Sequence, residues 1–481
     1  MKEGRENIKT SLFWKLLERG CSQGIPFIIT ILLARLLEPD EFGTIALLMV
    51  FINLMQVFID SGLGSALIQK RNASDLDYST VLYFNVFLCI LMYGVMYLFA
   101  PLIAQYYKNM ELTSVIRVLS IIILISGVKN IQISRVASMM EFRKLFYATS
   151  IGSFISAGVG IFMAYQGFGI WALVMQNVLN NLISTIMLWL VMKWIPLCKF
   201  SIKSLKQLAS FGWKVFATSM INTIFDDISV LIIGKKYSTD QLAYYDQSRK
   251  YPQVIISNIN SSIDSVLFPA MADRQTQAEE LKNLIRRSII CSGYLLMPLM
   301  TWLAVCSKEL VIMLLTEKWL PAAPYILIFC FFYVLYPFNT ANINAIKAVG
   351  KSQWLLKLEF IKKTYSILIL LATVNHGVLC IALGIMLNGF INFIVNALPL
   401  KKVADYRLVD EIKDIIPTVL ISLVFGLVVY LSGYLPISNL FVSISVRTVL
   451  GFVIYLGLSH ITKNAGYLYL KNVLCSYLHR K

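Results

Sequence analysis

Runs of about 20 mostly apolar residues, enough for an α-helix to cross a hydrocarbon core, recur along the 481-residue chain. Fourteen can be placed, centred near residues 25, 55, 92, 124, 156, 181, 222, 260, 295, 333, 366, 387, 424 and 450. Only the short polar breaks Gln166–Gly169 and Asn375–Gly377 separate the fifth span from the sixth and the eleventh from the twelfth. No connection is long enough for a globular domain. The pattern predicts an all-α polytopic membrane protein of about fourteen transmembrane helices.

The chain also repeats itself. Phe13-Trp14-Lys15-Leu16 echoes Gly212-Trp213-Lys214-Val215, and LARLLEPDEF at 33–42 echoes IGKKYSTDQL at 233–242, with Asp40 over Asp240. Ile59-Asp60-Ser61 returns as Ile263-Asp264-Ser265, and setting Gly169 on Gly377 lays Asn180 over Asn388. The matches keep a common order at an offset drifting from about 200 to 208. The repeat predicts two six-helix lobes, 1–200 and 201–405, then two extra helices within 406–462 and an amphipathic tail at 463–481. Segment 196–210 reads as an amphipathic linker. An even number of spans per half gives both halves the same orientation, which places a substrate site between them.

Composition agrees: 58% of residues are hydrophobic and 14% charged, against about 45–50% and 25% in soluble domains, and mean hydropathy is +0.70. The polar start MKEGRENIKTS leads into a span without a small-residue cleavage site, so no cleavable signal peptide is expected. The eight cysteines are scattered without C-x-x-C or metal spacing; neither disulfide nor zinc is expected.

A net charge of +17 suggests nucleic acid at first sight. Its distribution excludes that need. With the N-terminus inside, 29 of the 43 Lys and Arg fall in cytoplasmic segments and 8 in outer loops, four of them in 235–250. This asymmetry sets both termini in the cytoplasm.

Six bases remain inside spans: Lys15, Arg19, Arg117, Lys129, Lys214 and Arg447. A charge at a helix centre costs about 2.5–3.5 kcal/mol unless it faces protein or water. Polar residues recur at helical spacing, so each stripe falls on one face. The stripes hold Gln23 in the first span, Asn53, Gln56 and Asp60 in the second, and Asn177 and Asn180 in the sixth. They continue with Asn222 and Asp226 in the seventh, Asn260 and Asp264 in the eighth, Asn339 in the tenth, and Asn388 and Asn392 in the twelfth. Together they read as a shared polar cavity; helix-to-helix hydrogen bonding is the alternative for any one Asn.

Arg19 is the sharpest candidate, because a guanidinium grips phosphate in two-pronged fashion; pairing with Glu18 or snorkelling to the interface stays open. Of the two bases in the fourth span, Arg117 is favoured over Lys129 to face the interior. Lys214, the second half's counterpart, sits early in its span, so snorkelling is favoured over diphosphate binding there. Asp60, Asp226 and Asp264 are candidates for proton or sodium coupling, or for pairing with cavity bases. No cofactor is called for.

The runs ARLLEPDEFG, DSGLGSALIQK, EFRKLF, GFGIWALVMQ, FGWK, IIGKKYSTDQLAYYDQ, VLFPAMA and EKW, in order over about 1–400, resemble the Wzx-type flippases. These belong to the multidrug/oligosaccharidyl-lipid/polysaccharide exporter superfamily, and the colanic-acid-like branch is the nearest. The resemblance implies fourteen helices in two six-helix lobes and a terminal pair. It implies a transporter of the bacterial inner membrane that flips an undecaprenyl-diphosphate-linked oligosaccharide for O-antigen, capsule or exopolysaccharide synthesis. Arg19, with Arg117 and Lys214, would then meet the diphosphate. A polysaccharide polymerase and a chain-length regulator would be partners, alongside membrane lipid.

Three rivals remain. A cation-coupled drug exporter of the same superfamily should have an acidic, aromatic cavity. A membrane-embedded polysaccharide-modifying enzyme should have a sizeable outer loop or a catalytic His/Asp set, yet only three histidines exist. A membrane scaffold would have no reason for charged stripes inside spans.

Overall fold

The computed structural model describes residues 8–60, 62–70, 73–275 and 277–478, and its regular structure is helical throughout. Contacts divide the chain into two compact units, Met1–Ala243 and Tyr244–Lys481. The first holds α1 (Ile8–Leu36), α2 (Pro39–Asp60), α3 (Leu63–Gln69), α4 (Asp75–Tyr106), α5 (Leu112–Leu119), α6 (Ile121–Met139), α7 (Phe142–Tyr165), α8 (Ile170–Met192) and α9 (Ile202–Lys236). It ends within the first turns of α10 (Thr239–Asp273). The second holds the rest of α10 with α11 (Ala278–Val305), α12 (Ser307–Leu314), α13 (Ala323–Tyr333), α14 (Tyr336–Ala348), α15 (Ser352–Thr373) and α16 (Val378–Ala397). It closes with α17 (Leu400–Ala404), α18 (Leu408–Leu431), α19 (Leu440–Ile461) and α20 (Ala465–Leu478).

All fourteen apolar centres read from the sequence fall on these helices. Among the described residues, twelve helical stretches are long and apolar enough to cross a membrane. The fourth span comprises α5 and α6, and the tenth comprises α13 and α14. The two stretches that fall short are α10, whose first half carries Asp240, Asp246, Arg249 and Lys250, and α15, with Lys357, Glu359, Lys362 and Lys363. Large apolar side chains such as Phe360 and Leu98 stand 81% and 73% exposed, as surfaces solvated by lipid require. The protein is a multi-pass membrane protein.

The repeat is visible in the backbone. LARLLEPDEF and IGKKYSTDQL each fold into a helix, a two-residue break and a new helix, at Leu37–Glu38 and Tyr237–Ser238. Pro39 opens α2, where its missing N–H costs nothing. Gly169 and Gly377, aligned by sequence, both take positive φ one residue before α8 and α16. The segment 196–210, expected as a linker, is an extended stretch leading into the first turns of α9.

In the first unit, α7 lies along both α1 and α8. Trp14 packs against Phe146 and Tyr147 at 5.5 and 6.0 Å. Lys15 sits 5.3 Å over the Phe142 ring, and Arg143 5.4 Å over Trp14. The FWKL and EFRKLF runs therefore pack on each other. Gly62 has φ 68° and caps α3, with its backbone directly against Gly212 of the FGWK run. Below it, Leu63, Leu67, Tyr78, Ile131, Trp194 and Leu208 form one apolar cluster. Polar groups close the cluster's end. Asp77, buried at the start of α4, accepts from Lys70 at 2.8 Å and from Ser204. Asp75 accepts from Arg135 at 2.7 Å and Trp194 at 3.0 Å.

In the second unit α11 is the central helix, in contact with α13, α14, α18 and α20. Leu281, Ile285 and Ile289 of α11 share a core with Phe338, Ala345, Phe393 and Tyr406.

Candidate functional site

In the first unit, polar side chains from α1, α2, α6, α7, α8 and α9 meet between facing helices, most of them half-buried and Asp60 exposed. Glu18 of α1, half-buried, interacts electrostatically with Arg19, with Lys129 of α6 and with Lys15. Lys129 Nζ donates to Asn181 Oδ1 at 3.3 Å, and Asn181 Nδ2 donates to the Asn177 carbonyl at 3.1 Å. Asn130, next to Lys129, donates to Asp60 of α2. Gln56 Nε2 donates to Ser126 Oγ at 3.4 Å, and Asn53 Nδ2 to Asp227 Oδ2 at 3.3 Å. Ser153 Oγ donates to Asn180 Oδ1 at 3.3 Å. Arg19 and Gln23 are half-buried on α1. The cluster thus holds three bases, Lys15, Arg19 and Lys129, against the acids Glu18, Asp60 and Asp227, with amides between them. Such a lining can hydrate a polar group inside a membrane domain, because each donor and acceptor replaces water that lipid lacks.

Arg117, favoured from the sequence over Lys129, stands apart from this cluster on α5. Its guanidinium lies 4.1 Å over the ring of Tyr97. Lys129 is the base of that span beside Glu18. Lys214 is exposed near the start of α9. Arg447 is bound to Glu309 at 2.8 Å and to the Gly433 carbonyl at 3.2 Å. Asn222 and Asp226 are both exposed on α9, whereas Asp227, about 100° further round the helix, is buried against Asn53. Asp264 lies on α10, but its side chain falls outside the described residues.

The amide stripes of the second unit pair across neighbouring helices. Asn388 accepts from Ser366 at 3.0 Å, and Asn392 accepts from the Tyr365 hydroxyl at 2.7 Å. Asn396 donates to Asn339 at 2.7 Å, and Asn260 to Thr340 at 3.1 Å. These bonds fasten α15 to α16, α14 to α16, and α10 to α14.

A further acid escaped the sequence. Glu411 of α18 is fully buried and accepts from Asn342 of α14 at 3.1 and 3.4 Å. One turn on, Asp414 takes a two-pronged pair from Arg286 at 2.7 Å for each bond and a hydrogen bond from Tyr406 at 2.9 Å. Burial and the neighbouring Asp414 carboxylate push the Tyr406 phenol far above its usual range. Glu411 sits in the polar opening DEIKD of its span, so hydropathy assigned it to the interface. Lys129 and Asn130 were visible as polar residues, but spacing alone did not show which faced α1 and α2.

Residues 32–324, more than half the chain, match the polysaccharide biosynthesis protein family. The chain belongs to that family. The teichuronic acid biosynthesis protein TuaB of Bacillus subtilis strain 168 is 24% identical over 387 residues, 78% of each chain. The lipopolysaccharide biosynthesis protein WzxC of Escherichia coli K12 is 24% identical over 400 residues, 82% of this chain and 80% of that one. Among solved structures, the inward closed conformation of the lipid II flippase MurJ superposes with a TM-score of 0.78 at 14% identity. The superposition covers 94% of this chain and 98% of that one. At this identity the likeness shows the fold of this family member and nothing finer.

Proposed function

We propose that the protein is a transporter that flips a lipid-diphosphate-linked oligosaccharide across the bacterial inner membrane for surface polysaccharide synthesis. The observation that carries the reading is the Glu18–Lys129–Asn181 cluster with Arg19 beside it, four charged or amide groups on membrane helices. Family membership and the MurJ-like fold support it. A bare dianionic headgroup in hydrocarbon would cost tens of kcal/mol in the Born limit. A lining with cationic and amide groups replaces that lost hydration. Arg19 and Lys129 meet the diphosphate, Gln23, Asn53 and Gln56 meet sugar hydroxyls, and the prenyl chain stays in lipid.

Translocation proceeds by alternating access, with the termini on the cytoplasmic side. The membrane potential assists outward movement of a negative headgroup by about 2.3 kcal/mol per charge per 100 mV. Asp60 and Asp227, each holding one amide, are the groups for coupling to an inward proton or sodium ion. A polysaccharide polymerase and a chain-length regulator act downstream. A drug exporter of the same fold is the less favoured reading, since its cavity should be acidic, whereas Lys15, Arg19 and Lys129 surround Glu18 here.

The test is accumulation of lipid-linked repeat unit in a deletion strain complemented with wild type or Arg19→Ala. The deletion is expected to lose surface polysaccharide and to trap the repeat unit on the cytoplasmic leaflet. Intact polysaccharide without accumulation overturns the reading.

A further inference from the structure

The second unit has a cavity of about 530 Å³, lined by Arg274, Glu280, Leu284, Arg286 and Arg287 of the α10–α11 region and by Tyr469 of α20. It is far from the Glu18 cluster in sequence, and the reading above gives it no role. Two of its three arginines are already paired, Arg274 with Glu280 at 2.8 Å and Arg286 with Asp414. Among the described residues no acid pairs with Arg287. Its guanidinium instead lies 4.1 Å over the Tyr469 ring, which orients the planar fork while leaving its N–H groups available.

The helix that supplies Tyr469 is held firmly. Gly466 packs so close to Tyr294 of α11 that a Cβ there would come within 2.6 Å of the Tyr294 Cβ. The corner before it is tied by Asn464, which accepts from the Gly466 N–H at 2.9 Å and donates to Thr418 at 3.3 Å. Segment 463–481 has no Asp or Glu, and Leu468 on α20 stays exposed. The cavity therefore has three arginines against one acid, apolar lining from Leu284, Ile290 and Ala465, and a helix with no acidic residue along its side. A lipid headgroup fits this combination better than a soluble ion, because acyl chains need the apolar lining.

We propose that this cavity binds the phosphate headgroup of an anionic phospholipid, gripped by Arg287 and completed by Tyr469, which clamps α20 onto α11. The inference rests on the membrane placement of the protein and not on the identity of its cargo. A failed export assay would leave it standing, and its failure would leave the export reading intact.

The experiment is native mass spectrometry of the full-length protein in detergent, offered equal phosphatidylglycerol and phosphatidylcholine of matched chains. Wild type is expected to retain phosphatidylglycerol at least five-fold over phosphatidylcholine. Arg287→Ala and Arg287→Gln are expected to lose that preference, while Lys193→Ala, a basic site elsewhere, keeps it. Helical content by circular dichroism confirms folding; Arg287 is exposed and pairs with no described acid, so both variants should fold. Equal retention of the two lipids by wild type overturns the proposal before any variant is made. Undiminished preference in both folded variants overturns it too. If millimolar inorganic phosphate displaces the lipid completely, the cavity is a simple anion site and the lipid assignment fails.

Discussion

Lys129 and Glu18 are the residues on which the transport reading can be tested most directly. Lys129→Met removes the ammonium that faces Glu18 and Asn181 and leaves an acid unbalanced in the bundle. Surface polysaccharide is expected to fall at least ten-fold at equal protein level, with Lys129→Arg retaining more than Lys129→Met. Full activity of both Arg19→Ala and Lys129→Met, measured by polysaccharide blot, would remove the site reading and leave the fold. A stability prediction attaches to the Glu411–Asn342 pair. Glu411→Ala leaves the Asn342 amide buried without its acceptor, at a cost of about 1–3 kcal/mol. Replacing both residues by Leu and Ala should cost less than the sum of the single changes. Thermal unfolding in detergent of the four proteins checks this.

Among elements, the junction of α2, α3 and α9 is the most tightly constrained. Gly62 is left-handed, and any Cβ there would strike the backbone of Gly212. Left-handed backbone at a non-glycine residue costs of order 1–3 kcal/mol, and the collision adds to it. Gly62→Ala is therefore expected to lower the unfolding temperature by several degrees, whereas Gly94→Ala, which meets open space, should change it little. The same junction explains why DSGLG and FGWK stand out as motifs. They are far apart in sequence, and they are the two sides of one close backbone contact.

For the whole molecule, the charge distribution makes a topological prediction. Cys198 and Cys475 are exposed and lie in segments rich in Lys and Arg. A variant keeping only Cys198 should resist a membrane-impermeant maleimide in intact spheroplasts and react after permeabilisation. A cysteine placed at Lys108 should react in both. The reverse pattern would invert the orientation on which the proposed direction of transport depends.

The positions and order of the long helices were legible in the sequence, because burial in lipid demands long apolar runs; among the described residues, twelve of the fourteen expected stretches are long and apolar enough to cross. The repeat was legible for a related reason: the break between α1 and α2 and that between α9 and α10 need the same local chemistry, and local chemistry is written in adjacent residues. The site was legible only as a set of polar stripes. Spacing tells which residues share a helix face, but not which helix that face meets. Hence Arg117 looked more interior than Lys129, and only packing reversed that order by setting Arg117 over Tyr97 and Lys129 beside Glu18. Asp226 fell in the polar stripe by spacing, but α9 leaves it exposed and turns its neighbour Asp227 toward Asn53. Glu411 was hidden because its burial comes from α14, more than sixty residues earlier in the chain. Pairings between distant segments are fixed by the packing of whole helices, and that information exists only once the chain has folded.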